Sequence, residues 1–144
     1  MLPAPEPGLL VRYAYLWYSQ YEQGREDGEK DRPRALIFSA RDDDGDTIVT
    51  VLPVTHTPPL HADEAVEIPA MVKRRLGLDD ARSWVVVTEL NRFVWPGPDL
   101  RPVSPRDADR FDYGLLPPAL FRTIRERFLA CAKAQRVRIT PRSQ

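Results

Sequence analysis

One stretch, residues 47–59, limits most strongly what this chain can fold into. It reads TIVTVLPVTHTPP, so β-branched and aliphatic residues fill its first half, and hydroxyls, a histidine and prolines fill its second half. Branched side chains fit a pleated sheet, and the first half therefore predicts a buried strand. The polar exit places Thr55, His56 and Thr57 at the end of a rigid element, where a substrate can reach them. The simpler alternative is a core strand with an ordinary proline-rich exit loop.

The other apolar runs predict a mainly β protein. Strands are expected at residues 9–17, 34–40, 47–53, 65–68 and 83–95, and the stretch from there to residue 114 is expected to be irregular apart from a short strand near 100–103. The strand at 83–95 begins with the run of highest β-propensity, 83–90, and is expected to be central. A mobile polar loop is expected at 19–31, and an Asp-Gly turn is expected to join the second and third strands as a hairpin. Parallel βαβ winding is excluded, because no helix separates the first three strands.

Proline opens both of the helices that the sequence predicts. The first is bracketed by Pro69 and Gly77, and the second begins at Pro117-Pro118. The predicted apolar face of the second helix comprises Phe121, Ile124, Phe128, Leu129 and Ala132. Cys131 lies near this face and is expected to be a small core residue. Together these elements predict a small, strongly curved sheet or partly open barrel with a short helix and a C-terminal helix.

The chain of 144 residues is long enough for one domain with its own core. We expect a single domain at 1–144, with its core at 8–132 and flexible tails at 1–7 and 137–144. The single cysteine excludes a disulfide framework. No run approaches the ~18 apolar residues of a membrane span, so we expect a cytoplasmic protein without a membrane anchor.

The formal net charge is zero, but the charges are unevenly distributed. Acidic residues dominate 19–68, whereas basic residues dominate 120–144, and nearly all basic residues are Arg. A basic surface of this kind fits phosphates or an acidic partner protein, although a codon bias toward Arg would give the same composition. The acidic run at 42–44 is expected to be a solvated turn, because adjacent side chains on a tight turn cannot converge on one ion. Neither a metal nor an organic cofactor is therefore expected.

Several short motifs follow one another in a definite order. They are Gly8 before the first strand, Arg32-Pro33 before the second, Pro53-Val54-Thr55 at the end of the third, and Glu89-Leu90-Asn91-Arg92 after a Val-rich run. In order and separation, this set resembles the PemK/MazF family of toxin endoribonucleases over about residues 8–129. The resemblance implies an SH3-like barrel with a C-terminal helix and a homodimer. It also implies metal-independent, sequence-selective cleavage of single-stranded RNA such as mRNA, and a cognate antitoxin protein as partner.

In metal-free RNA cleavage the ribose 2′-OH attacks the adjacent phosphorus, so the site needs proton transfer and a cation for the added negative charge. The resemblance assigns the cation to Arg32 and the positioning of the phosphate to Thr55. His56, where the family more often has a second hydroxyl, is suited to moving protons near neutral pH. Glu89 is the other candidate for proton transfer, or it orients Arg32. The predicted RNA-binding residues are Arg34, Thr57, Asn91 and Arg92.

Two positions depart from the family pattern, since Arg34 replaces an apolar residue and Leu90 replaces Gln. Each candidate also has a simpler role. Arg32 can pair with a nearby acid, Thr55 can cap the loop, and His56 and Glu89 can face solvent.

The sequence leaves two other functions open. One is a catalytically inactive SH3-like module that binds RNA or protein. The other is a gyrase-inhibiting toxin of the same barrel type, which would act through its C-terminal residues. The aromatic residues Trp84, Phe93 and Trp95 are expected to lie in the core or at a dimer contact rather than to stack on bases.

Overall fold

The computed structural model describes residues 4–22, 34–104, 106 and 109–142. Within these ranges the chain forms eight strands, three α-helices and one turn of 3₁₀ helix at Ala62–Glu64. The strands are β1 Leu9–Arg12, β2 Arg34–Asp43, β3 Asp46–Thr55, β4 Ala65–Glu67, β5 Trp84–Val86, β6 Glu89–Val94, β7 Asp112–Leu115 and β8 Arg138–Pro141. The helices are α1 Tyr18–Glu22, α2 Ala70–Arg75 and α3 Pro118–Lys133. The predicted mainly β architecture is confirmed.

The sheet is organised around β3. This strand pairs antiparallel with β2, β5 and β6. The sheet continues from β2 through β1 to β7, and from β5 to β4, while β8 lies parallel to β6. All eight strands thus belong to one curled, mostly antiparallel sheet that forms a half-barrel. None of the helices in the described part of the chain combines the length and apolarity needed to cross a membrane.

The predicted hairpin between β2 and β3 is confirmed. Its turn is formed by Asp44 and Gly45, which have φ angles of 51° and 86°. Asp and Gly tolerate this left-handed conformation best, which explains why the turn falls within the acidic run. The hairpin fixes the register of β2 and β3, and so determines which side chains meet at the opposite end of the two strands.

Alternating residues of the strands supply one hydrophobic cluster to each face of the sheet. The first cluster includes Leu36, Leu52, Val54 and Leu90 and is covered by Ile124, Phe128 and Cys131 of α3. The second cluster includes Val11, Tyr13, Tyr15, Ile37, Val51 and Phe93. Cys131 is buried, as expected for a small core residue. Leu129, predicted to belong to the apolar face of α3, is 54% exposed, so that assignment was wrong.

Two predicted strands were too long. The strand expected at 9–17 ends at Arg12, and α1 occupies 18–22, where the polar loop was expected to begin. The rest of that loop lies outside the described residues. The single central strand expected at 83–95 is wrong, because the chain breaks at Val87 and Thr88. The two resulting strands, β5 and β6, pair with different parts of β3.

The sequence also gave no indication of β7 or β8. β7 lies in the stretch expected to be irregular, and β8 lies in the tail expected to be flexible. The carboxylate of Asp99 pairs with the buried guanidinium of Arg142 at 2.7 Å and so holds the end of β8 in place. Residues 138–142 are therefore part of the sheet and its packing.

Candidate functional site

Three basic side chains meet the carboxylate of Asp79. Its Oδ2 atom accepts hydrogen bonds from Arg34 Nη1 at 2.7 Å and from His56 Nε2 at 3.1 Å. Its Oδ1 atom accepts one from Lys73 Nζ at 2.7 Å. Arg34 opens β2, His56 directly follows β3, and Lys73 lies on α2, so Asp79 joins three elements. We call Arg34, His56, Lys73 and Asp79 the Asp79 cluster.

The local fold explains how Asp79 reaches this position. Gly77 has a φ of +73°, a left-handed conformation that turns the chain back after α2. Lys73 then fixes the returning segment, since its ammonium also donates to Ser83 Oγ at 2.7 Å and to the carbonyl oxygen of Ala81. These bonds use all three N–H groups of Lys73, which is 4% exposed. Lys73 is therefore a support for the site rather than one of its reactive groups.

Asp79 is ionised throughout the physiological pH range. Its partial burial opposes ionisation, but the hydrogen bonds from Lys73 and Arg34, together with the charges of Arg34 and His56, hold the pKa of this carboxyl well below its usual range. A permanent negative charge therefore lies within hydrogen-bond distance of the imidazole.

This contact orients His56. The Nε2–H group of the imidazole donates to Asp79, which leaves the lone pair on Nδ1. The side chain is 38% exposed, so solvent or a ligand can reach it. A carboxylate behind one ring nitrogen also stabilises the imidazolium that forms when the other nitrogen takes a proton.

Arg34 supplies a cation to the same place. Only Nη1 of its guanidinium is bonded to Asp79, and the group lies 5.5 Å from the ring centroid of Tyr113. Its Nε atom is buried and has no hydrogen-bond partner among the described residues. Packing against Tyr113 and the bond to Asp79 hold the guanidinium in one orientation, which favours recognition of a phosphoryl group.

The two threonines lie next to His56 at the end of β3. Thr55 Oγ1 accepts a hydrogen bond from the backbone N–H of Thr57 at 3.1 Å, so Thr55 caps the exit turn. Its hydroxyl hydrogen remains able to donate to a ligand. Thr57 is exposed.

Glu89 lies on the opposite face of the sheet. Arg34 and His56 follow the alternation of Leu36 and Val54, which belong to the first cluster. Glu89 instead alternates with Leu90 of that cluster, so its carboxylate points to the other side.

There, the Oε1 atom of Glu89 accepts hydrogen bonds from Tyr15 Oη at 3.1 Å and from the backbone N–H of Tyr18 at 3.0 Å. Burial raises the pKa of this carboxyl. The fold therefore does not bring Glu89 to His56, and the simpler expectation that Glu89 faces solvent is also wrong.

The other predicted residues are dispersed. Asn91 is completely buried, and its side-chain amide bonds to the backbone N–H and carbonyl of Leu16 at 2.9 and 2.8 Å. It supports the fold and does not reach the surface that RNA would contact. Arg92 is exposed on β6. Arg32 lies outside the described residues.

Asp79 and Lys73 were not predicted as members of a site. Asp79 is separated by 45 residues from Arg34 and by 23 from His56, so no local pattern connects it to them. Lys73 carried a weak signal, since it is one of the few lysines in an Arg-rich chain. A compact ammonium with three donors fits a confined buried position better than a guanidinium does.

The Asp79 cluster thus combines an oriented imidazole and a fixed cation, and the hydroxyl of Thr55 belongs to the residue before His56. Such a set can remove a proton from a hydroxyl group and stabilise negative charge that develops on a phosphoryl group. Among the described residues, no group of His, Cys, Asp or Glu side chains is arranged to hold a metal ion. Comparison of the chain with protein-family models, with curated proteins and with solved structures found no match.

Proposed function

We propose that the protein is a metal-independent endoribonuclease that cleaves single-stranded RNA. The contact of His56 with Asp79, with Arg34 bonded to the same carboxylate oxygen, carries this proposal. The contact provides a base just past the end of β3 and a cation at the start of the adjacent strand β2, and RNA cleavage without a metal requires both groups.

In this mechanism Nδ1 of His56 takes the proton of the ribose 2′-OH. The 2′-oxygen forms a bond to phosphorus, the bond from phosphorus to the 5′-oxygen breaks, and the leaving oxygen takes a proton from water. The products are a 2′,3′-cyclic phosphate and a 5′-hydroxyl. Arg34 stabilises the additional negative charge on the phosphoryl oxygens, and Thr55 donates a hydrogen bond to one of them. Asp79 stabilises the imidazolium.

Glu89 has no part in this mechanism, because its carboxylate is bonded to two tyrosines on the other face of the sheet. The role proposed for Arg32, as a second cation for the phosphate, rests on the resemblance to PemK/MazF toxins. The same resemblance supports an SH3-like fold and a homodimer. It also supports a cytoplasmic toxin of a type II toxin–antitoxin system, inhibited by a cognate antitoxin. The exposed Arg122 and Arg125 of α3 offer a basic surface for an acidic segment of that partner.

The test is cleavage of a long mixed-sequence RNA by the purified protein in EDTA. We expect cleavage by the wild type, and a loss of about 100-fold or more in His56→Gln, since general base catalysis contributes about 10²–10⁴-fold. Arg34→Gln should reduce the rate as well. Mass spectrometry of the fragments should show cyclic phosphate ends.

The control is His61→Gln, which changes the other histidine of the chain at an exposed position. It should cleave like the wild type. RNA that stays intact at high protein concentration, or cleavage that is equal in His56→Gln and wild type, would show that the proposal is wrong.

A second candidate function is an SH3-like module that binds RNA or protein without cleaving it. One observation favours it: Arg34 and His56 both contact Asp79, which neutralises part of the positive charge that a phosphate would meet. This candidate requires retention of RNA on the protein with no cyclic phosphate product. Expression of the protein alone would then be harmless to the cell.

A further inference from the structure

A cleft of about 270 Å³ opens directly beside the Asp79 cluster, between α2 and the segment that follows it. Asp79 and Lys73 form the wall that the cleft shares with the cluster. Ile68 and Ala70 supply apolar surface. The volume lies at the lower limit of small-molecule sites, roughly 300 Å³, so the cleft fits one planar ring system rather than a large ligand.

Arg82 gives the cleft a flat wall. The carboxylate of Glu67 holds its guanidinium by accepting two hydrogen bonds, from Nε at 2.8 Å and from Nη2 at 2.7 Å. One face of the guanidinium lies over the indole of Trp84, 4.9 Å from the ring centroid. The side chain is nevertheless 70% exposed, so the opposite face is open. Guanidinium planes fixed in this way serve as stacking surfaces for unstacked RNA bases.

Two further side chains of the cleft have unused hydrogen-bonding capacity. Among the described residues, Asp80 and Arg74 take part in no side-chain hydrogen bond or ion pair, and both are exposed. The cleft therefore offers a carboxylate as acceptor and a guanidinium as donor, together with apolar and flat surfaces. A ligand with a donor edge and an acceptor edge matches this arrangement.

The sheet connects the cleft with the end of β3. Thr55 is the register partner of Trp84 in β5, and Trp84 is the register partner of Glu67 in β4. These three residues form one cross-strand row on the same face. This row alternates with Val54, Val85 and Val66 of the first cluster, and Arg82 covers Trp84 at its edge. The cleft meets His56 through Asp79, which lines the cleft and accepts the hydrogen bond of the imidazole.

We infer that this cleft binds a guanine base of single-stranded RNA, next to the phosphate that is cleaved. Guanine presents two N–H donors that a carboxylate such as Asp80 accepts, and the O6 and N7 acceptors to which arginine bonds bidentately. Its ring stacks on the open face of Arg82. The position beside a cleaved phosphate rests on the proposed function, whereas the binding of guanine does not.

The test uses guanosine 5′-monophosphate and adenosine 5′-monophosphate as probes, titrated into the full chain and followed by NMR or calorimetry. Both carry the same phosphate, so a difference in affinity reports on the base. We expect guanosine monophosphate to bind about tenfold more tightly or better, since one well-placed bidentate pair discriminates between bases by about that factor. This preference should vanish in Asp80→Asn and weaken in Arg74→Gln.

Matched controls are available on the same elements. Arg75→Gln changes the neighbouring arginine of α2, which does not line the cleft, and Asp46→Asn changes an exposed carboxylate of the distant hairpin. Both should keep the preference for guanine. Circular dichroism should show that all four variants are folded, because each replaces an exposed side chain.

Equal binding of the two nucleotides, or a preference that survives Asp80→Asn, would overturn the inference. RNA cleavage without a preference for guanine beside the cut would do the same. If guanosine monophosphate binds selectively while RNA stays intact in EDTA, the guanine site stands and the nuclease proposal fails.

Discussion

The surroundings of two carboxyl groups, Asp79 and Glu89, shift their pKa values in opposite directions. Asp79 is held ionised by hydrogen bonds from Lys73 and Arg34. Burial, by contrast, raises the pKa of Glu89, although hydrogen bonds from Tyr15 Oη and the backbone N–H of Tyr18 favour its charged form. The folded state therefore favours the charged form of Asp79 and disfavours that of Glu89, and stability depends on pH with the opposite sign at the two residues.

We expect Glu89→Gln to be more stable than the wild type at pH 7. The folded pKa of Glu89 is raised, so above the ordinary carboxyl pKa of 4.5 the unfolded state loses its proton first and the wild type loses stability as pH rises. A glutamine keeps an oxygen that accepts from Tyr15 and Tyr18 but carries no charge. Thermal unfolding from pH 4 to 7 measures the effect, and the advantage of the variant should grow across this range.

Asp79→Asn provides the comparison. The folded pKa of Asp79 is lowered, so its contribution is present above the ordinary value of 3.8 and is lost as pH falls below it. This variant should be less stable than the wild type at pH 7 and should approach it in acid. A melting temperature of Glu89→Gln that lies below the wild type at pH 7 would contradict the assignment of a buried, destabilising charge.

At the scale of single residues, the sequence alone indicated some members of the candidate site. His56, Thr55 and Arg34 stand out because polar groups at the ends of apolar strands are exposed and well positioned. Asp79 does not stand out, because its partners are distant in the chain and only the fold brings them together. Asn91 was misjudged for a related reason, since a polar residue in a strand faces the interior when backbone groups there satisfy its amide.

At the scale of elements, local propensity predicted those strands that carry their own signal. β2, β3 and β4 are rich in aliphatic residues and were recognised. The break between β5 and β6 was not, because β-propensity reports neither where a strand ends nor which partner it takes. β8 reads Arg-Ile-Thr-Pro and is too short and polar to be recognised. Its place in the sheet depends on pairing with β6 and on the buried contact of Arg142 with Asp99.

We expect Arg142→Met to lower the free energy of unfolding by about 3 kcal/mol, because removal of one partner leaves a buried charge uncompensated. Arg142 and Asp99 are only 4% and 13% exposed. Urea denaturation measures the change. As a control, Arg41→Met replaces an exposed arginine of β2 and should alter stability by no more than ~0.5 kcal/mol. An Arg142→Met variant as stable as the wild type would mean that this ion pair does not anchor β8.

The contact of Arg142 with Asp99 also determines how the gyrase-inhibitor alternative can be tested. Removal of residues 138–144 would test for a toxin that acts through its C-terminal residues. In this fold the truncation also removes β8 and unpairs Asp99. Substitutions at exposed positions, such as Arg138 and Ile139, separate the two effects, because they keep the backbone of β8 in place.

At the scale of the whole molecule, the stretch that limits the possible folds most strongly, residues 47–59, contains most of β3, the strand that organises the sheet. β3 pairs with β2 over most of its length, with β6 at Ile48–Val51, and with β5 at Val54 and Thr55. Its side chains enter both hydrophobic clusters, Val51 on one face and Leu52 on the other. Thr55 and His56 are therefore held in place at the end of a strand that pairs with three others.

We expect hydrogen exchange to follow this connectivity, with the slowest amides in β3 and faster exchange in β7. An amide that is paired on both sides of its strand is released only by global unfolding, whereas a strand at the edge of a sheet opens locally at lower cost. β7 has four residues and, in the described part of the chain, pairs with β1 alone. Exchange followed by mass spectrometry under native conditions should show peptides from Asp112–Leu115 exchanging at least about tenfold faster than peptides from Asp46–Thr55. β1, which lies between β2 and β7, is the internal control and should be intermediate. Equal protection of β3 and β7 would mean that the sheet opens as one unit, and that the exit of β3 is no more rigid than its edges.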